Sequence, residues 1–176
     1  SHYSCIAQSC LPSQYGNNHS VKTTVEEPKD AAGFNKRASL KYGQKDYSGA
    51  IADYTKAIDL NSKESEVYFN RGSAKAMMED YYGAISDFTK EIGLNPKSAK
   101  AYSNRGWVKS KLKDTEAAIK DFNKAISIDP KIGFAYYNLG MAKISKGDKP
   151  GACQDLSKAG ELGFEKAYES IKKFCH

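Results

Sequence analysis

The chain repeats itself every 34 residues. Tyr68-Phe69-Asn70-Arg71-Gly72 recurs as Tyr102-Ser103-Asn104-Arg105-Gly106 and as Tyr136-Tyr137-Asn138-Leu139-Gly140. Ala50-Ile51 recurs as Ala84-Ile85, Ala118-Ile119 and Ala152-Cys153, and the same interval separates Asp53, Asp87, Asp121 and Asp155. A fixed period of this length specifies a stack of one supersecondary unit, because each unit buries its apolar face only against its neighbours. The functional question then becomes which surface the stack presents.

Each unit reads as two helices. In the second unit Tyr68, Arg71, Gly72, Lys75 and Met78 fall at helical spacing. A turn follows at Glu79-Asp80-Tyr81, and Ala84, Ile85, Phe88 and Ile92 mark a second amphipathic helix. Leu94-Asn95-Pro96 ends it, since proline cannot continue a helix interior and pushes its predecessor out of the helical region. Gly72, Gly106 and Gly140 cost helix propensity. Their missing side chains let the second helix approach closely, and Ala84 and Ala118 serve that closeness from the other side. Arg71 and Asp87 each stand about two turns from the bend and should face one another as an ion pair. The same holds for Arg37 with Asp53 and Arg105 with Asp121, while the fourth unit sets Leu139 opposite Asp155. Lys41, Lys75, Lys109 and Lys143 share one repeat position and read as part of a solvated face.

This pattern resembles the tetratricopeptide repeat family, in a four-repeat array of bacterial type. The matching residues in the third unit are Tyr102, Gly106, Ala118, Phe122, Ala125 and Pro130. The resemblance implies an all-α fold, a right-handed α-solenoid of stacked antiparallel hairpins. Its units are 31–64, 65–98, 99–132 and 133–166. Ser62 and Phe164 replace the terminal proline, arginine replaces an apolar residue at 37, 71 and 105, and Glu91 replaces a small residue. Residues 165–175 read as a capping helix with Ala167, Tyr168, Ile171, Phe174 and Cys175 as its apolar stripe. A partner-binding amphipathic helix is the alternative.

Composition narrows the function. No apolar run approaches membrane-spanning length. Residues 1–30, rich in Ser, Asn, Gln and Thr, lack the repeat and read as an extended or disordered leader. The chain opens on Ser1, so a processed or truncated start is expected. The leader holds two of the 27 Lys and Arg and three of the 21 Asp and Glu, so the positive charge belongs to the array. That balance favours an acidic partner. Nucleic acid is not expected, because the lysines are dispersed. His2, His19 and His176 all lie outside the repeats, and the carboxylates recur with the period, so no enzyme is expected. The spacing of Cys5, Cys10, His2 and His19 matches no tight zinc pattern. Neither metal nor other cofactor is expected.

Cys153 and Cys175 lie eleven residues on either side of Phe164. In two antiparallel helices they fall at one height, as a buried thiol pair or a disulfide. With Cys5 and Cys10 as a second plausible pair, the cysteines lean toward an exported, periplasmic or secreted location.

The resemblance implies that the first helix of each unit lines a concave groove. Read onto this sequence, the groove face comprises Asn35, Lys36 and Ser39; Phe69, Asn70, Ser73 and Met77; Lys100, Ser103, Asn104, Trp107 and Lys111; and Phe134, Tyr137, Asn138 and Met141. The ladder Asn70, Asn104 and Asn138 suits a peptide backbone, because an amide both donates and accepts. Phe69, Trp107, Tyr137, Met77 and Met141 supply apolar area and adaptable packing. Trp107 reads either as a binding anchor or as packing on a neighbouring first helix. A subclass of the family clamps acidic chaperone tails, but only Asn70 and Lys100 match that pattern, with Asn35, Ser39 and Asn104 at the other three positions. Chaperone-tail binding is not expected. The expected function is a non-enzymatic scaffold that holds an extended peptide or partner helix. The alternative is a self-assembly module, a homo-oligomer whose groove takes the leader or a second copy.

Overall fold

Each second helix starts on an aspartate. Asp46, Asp80, Asp114 and Asp148 accept hydrogen bonds from the backbone N–H of Gly49, Gly83, Ala117 and Gly151. A side-chain oxygen at this place satisfies a donor that the helix itself leaves open. Just before the cap, Lys45, Glu79 and Lys113 adopt left-handed backbone, with φ of 64°, 62° and 63°. The fourth bend uses Gly147 with φ of 81°. One left-handed residue followed by one cap reverses the chain within a few residues, so every unit becomes an antiparallel hairpin.

The computed structural model describes residues 27–60 and 64–175. The leader reading for residues 1–26, with Cys5, Cys10, His2 and His19, lies outside them, as does His176. Among the described residues there are nine helices and no strand: α1 (Ala31–Gly43), α2 (Tyr47–Asp59), α3 (Ser65–Met77), α4 (Tyr81–Leu94), α5 (Ala99–Lys111), α6 (Thr115–Ile128), α7 (Gly133–Ser145), α8 (Lys149–Glu161) and α9 (Lys166–Phe174). They pair as α1/α2, α3/α4, α5/α6 and α7/α8, and α9 packs on α8. Successive first helices also touch, α1 on α3, α3 on α5 and α5 on α7. No packing of that extent joins α2 to α4, α4 to α6 or α6 to α8. The first helices therefore line the shorter, inner arc of a curved stack.

Glycine allows the tight hairpins. A Cβ on Gly106 would sit 2.9 Å from Cε1 of Phe122 and 3.1 Å from the carbonyl oxygen of Ala118. A Cβ on Gly140 would sit 2.9 Å from Cγ of Leu156. Ala84 and Ala118 are fully buried opposite these glycine rows. Ala118→Leu is accordingly expected to cost about 1–3 kcal/mol through overpacking. Lys90→Ala, on an exposed face, should stay within about 0.5 kcal/mol of wild type. Urea unfolding of the two variants checks this; equal losses would contradict the assignment of faces.

The arginine–aspartate pairs form as two-pronged contacts. Arg37 donates to Asp53 at 2.7 Å twice, Arg71 to Asp87 at 2.9 and 2.7 Å, and Arg105 to Asp121 at 2.9 and 2.8 Å. Such fork geometry is the strong form of the interaction. The lysine row differs from its sequence reading as a solvated face. Lys41, Lys75, Lys109 and Lys143 bind Asp53, Asp87, Asp121 and Asp155 at 2.8, 2.8, 2.7 and 2.6 Å. Each stands four residues beyond the arginine slot, hence on the same helix face and within reach of the same carboxylate. The Arg37 guanidinium, with Lys41, holds the Asp53 carboxyl at about 2 against the opposing effect of burial. A depressed carboxyl stabilises the fold above its unfolded value of 3.8, and that contribution is lost as pH falls toward 2.

The arginines also reach across unit boundaries. Arg71 donates to the Thr55 hydroxyl at 3.1 Å and Arg105 to the Thr89 hydroxyl at 3.0 Å. Arg37 has no preceding repeat among the described residues, and there Glu27 fills the slot at 2.7 and 3.1 Å.

At the other end α9 covers α8 with Ala167 and Ser170 buried. Tyr168, assigned by the sequence to the apolar stripe, is 60% exposed. Its ring lies along Gly160, where no side chain intervenes, and its hydroxyl donates to the Gly160 carbonyl at 3.0 Å. Cys153 and Cys175 form a disulfide, with Cα atoms 5.8 Å apart.

Candidate functional site

The inner face of the first helices carries three clefts. The first, about 410 Å³, lies between α5 and α7 and is lined by Trp107, Lys111, Tyr137, Asn138, Met141 and Ser145 among others. The Lys111 ammonium stands 5.2 Å from the centre of the Trp107 ring. The Tyr137 ring packs on Phe164 at 4.8 Å, which holds one wall in place. The second cleft is smaller, about 110 Å³, and is formed by Tyr42, Tyr54, Phe69, Asn70 and Ser73. The third, about 270 Å³, is bounded by Ser65, Glu66 and Phe69 of α3, by Glu91 of α4, and by Asn95, Ser98 and Lys100.

The residues singled out by the sequence divide among these clefts. Trp107, Tyr137, Asn138 and Met141 come together in the first. Asn70 lies in the second, Lys100 in the third, and Phe69 forms a wall common to both. Asn104, Met77 and Lys36 line none of the three. Met77 is 51% exposed at the end of α3, and Lys36 is exposed on α1. The asparagine ladder is partly committed to its own helices. The Asn104 amide donates to the Lys100 carbonyl at 2.9 Å and the Asn138 amide to the Phe134 carbonyl at 2.7 Å. Their side-chain oxygens are left to accept from a ligand.

One assignment of the groove face changes, and the packing reading of Trp107 holds. Ser103 is completely buried. Trp107 packs on the cluster of Ala76, Ala84, Phe88 and Val108 and also on the cluster of Ala118, Phe122, Leu139 and Ala142. One cause underlies both. First helices touch the next first helices, so they bury more surface than one amphipathic stripe indicates. Trp107 therefore acts as packing between units while its remaining surface lines the first cleft.

Glu91 was noted in the sequence only as a departure from the repeat. It is 3% exposed, and its Oε2 has no hydrogen-bond partner. Burial raises its pKa above the usual carboxylate value, with Glu66 adding to the rise and Ser98 and Asn95 opposing it by hydrogen bonding. The signal was available, since the same repeat position is alanine at 57, 125 and 159.

Family models described as tetratricopeptide repeat match residues 31–64 and 99–132. No curated protein matches. Among solved structures, a crystal structure of MamA is similar at 29% identity, covering 81% of this chain and 83% of that one, with a TM-score of 0.73. The first repeat domain of Spaghetti (RPAP3), bound to the HSP90 peptide SRMEEVD, is similar at 27% identity, covering 67% and 94%, with a TM-score of 0.65. The repeat domain of Arabidopsis OM64 is similar at 26% identity, covering 65% and 95%, with a TM-score of 0.64. The 34-residue period, the paired helices, the curved stack and these matches agree: the chain carries tetratricopeptide repeats, matched at residues 31–64 and 99–132, and is similar to solved tetratricopeptide repeat domains.

Proposed function

We propose that this protein-interaction scaffold holds an extended peptide along the inner face of α1, α3, α5 and α7, with the cleft around Trp107 as its main anchor point. The observation that carries this reading is the first cleft itself. It joins an aromatic wall, a flexible methionine and an asparagine oxygen on the face that the hairpins leave open. Aromatic pockets of this kind supply most of the binding energy in many interfaces. The Spaghetti domain, whose ligand is a peptide, supports the reading by its likeness. Only two of the five clamp positions for an acidic chaperone tail are matched here, Asn70 and Lys100, so the same ligand is not inferred.

The partner is read as acidic. The repeat lysines are neutralised by aspartates, but Lys36, Lys100 and Lys111 stand exposed on the first helices. An oxidising, exported location is proposed on the support of the Cys153–Cys175 disulfide.

A decapeptide array screened on the intact chain yields a binder for titration. Asn138→Ala should weaken that peptide by about 1–2 kcal/mol, the scale of a lost hydrogen bond with its partner left unpaired. Trp107→Ala should weaken it by about 2 kcal/mol. Both variants should keep a helical circular dichroism spectrum. Unchanged affinity in both would place the site elsewhere, and self-association in place of peptide capture would favour a second copy as the occupant.

A further inference from the structure

We propose that the cleft between α3, α4 and α5 is a pocket for one cationic side-chain end, guanidinium or ammonium, of the bound peptide. This deepens the groove reading and rests on it. The pocket departs from the repeat at one place. Glu91 occupies a position that is a fully buried alanine in the other three units, Ala57, Ala125 and Ala159. An acid in an alanine slot costs stability, because a buried carboxylate loses its hydration and regains it only from a charged or hydrogen-bonding partner. The other buried acids of the array, Asp53, Asp87 and Asp121, each hold an arginine and a lysine. Glu91 has no ion pair among the described residues; Ser98 and Asn95 hydrogen-bond to the carboxyl, but its Oε2 has no hydrogen-bond partner. Among the described residues, the fold therefore carries one buried acid with no counter-charge.

The walls match a cation. Glu66 places a second carboxyl at the same cleft. Phe69 offers a ring surface, on which a guanidinium or ammonium group gains further attraction. The hydroxyl of Ser65 lines the same space and can accept a hydrogen bond, whereas the Ser98 and Asn95 oxygens already accept from the backbone N–H of Ala101 and Lys97. At about 270 Å³ the cleft accommodates a side-chain end but not a whole helix. A metal ion is disfavoured, since no group of three or more His, Cys, Asp or Glu converges among the described residues. Lys100 stands at the same cleft without pairing with Glu91, and its charge opposes an incoming cation. Exposed lysines on the face would attract an acidic peptide generally, whereas this pocket would fix its register through one basic residue.

The test uses n-butylguanidinium and n-butylammonium chloride as probes, with n-butanol as the neutral control. Each is titrated into the isotope-labelled full chain and followed by amide chemical shifts. The expected result is saturable shifts at Phe69, Glu91 and Ser98 with one or both cations and none with butanol. Glu91→Gln, a neutral isostere that removes a buried charge, should keep the fold and weaken the cations about tenfold or more, as for a lost charge-assisted contact. Lys100→Ala should tighten them. Equal binding by wild type and Glu91→Gln, or no saturable shift with either cation, overturns the proposal. Butyl cations that bind while no peptide does would sink the groove reading but retain the pocket. Peptide capture without any cation shift would do the reverse.

Discussion

Asp87→Ala is expected to lower the stability of the array by about 3–5 kcal/mol in urea unfolding, the cost of breaking a buried ion pair from one side. Asp87 is 3% exposed and binds Arg71 through both oxygens and Lys75 at 2.8 Å. Removing it leaves two cations side by side, half-buried, with only Thr55 accepting from Arg71. Arg71→Leu should cost less, because Lys75 remains to hold the carboxylate. The fourth unit already has that arrangement, with Leu139 in the arginine slot and Lys143 on Asp155 at 2.6 Å. A loss below about 1 kcal/mol for Asp87→Ala would place the pair among surface ion pairs of little weight.

Cys153→Ser is expected to cost about 3 kcal/mol, the loop-closure value for a cross-link across 22 residues. The loss should be local. α9 has nine residues, too few to persist as a helix by itself, and it packs on α8 alone. Hydrogen exchange should therefore accelerate first over residues 166–174, while α1 to α6 keep their protection. Addition of reductant to the wild type should reproduce the variant. Unchanged stability under reduction would show that Ala167, Ser170 and the Tyr168–Gly160 bond hold the cap without the cross-link.

The fold was largely legible because one period recurs through the array. The spacing of 16 residues between each arginine and its aspartate, symmetric about a bend, was enough to pair them. The lysines four residues further on were misread, because an isolated lysine on a helix gives no sign that a buried carboxylate stands within reach. Ser103 was placed on an open face, and Trp107 was left between anchor and packing, for a different reason. The helical stripe tells which side packs within a hairpin, but the contact between successive first helices arises from the curvature of the stack, which no single helix encodes. The same curvature decides the grouping of the site. Trp107, Tyr137, Asn138 and Met141 meet in one cleft, whereas Asn104, equally visible as a ladder member, meets none. Glu91 stood out as an exception, but its isolation from any counter-charge is a matter of three-dimensional surroundings.

The bonds from Arg71 to Thr55 and from Arg105 to Thr89 mean that one guanidinium belongs to two units at once. Such sharing raises the coupling between neighbours relative to the intrinsic stability of either, as in a one-dimensional chain of linked spins. The boundary between α6 and α7 lacks it. Leu139 stands where the arginine would be, and Asn123 where the threonine would be. Apart from an exposed Lys146–Glu116 pair, that boundary relies on apolar contact around Phe122 and Leu139. It is expected to be the weakest boundary among the described units. Under load or heat the array would part there into a three-unit block and a terminal block whose helices α8 and α9 stay tethered by their own cross-link.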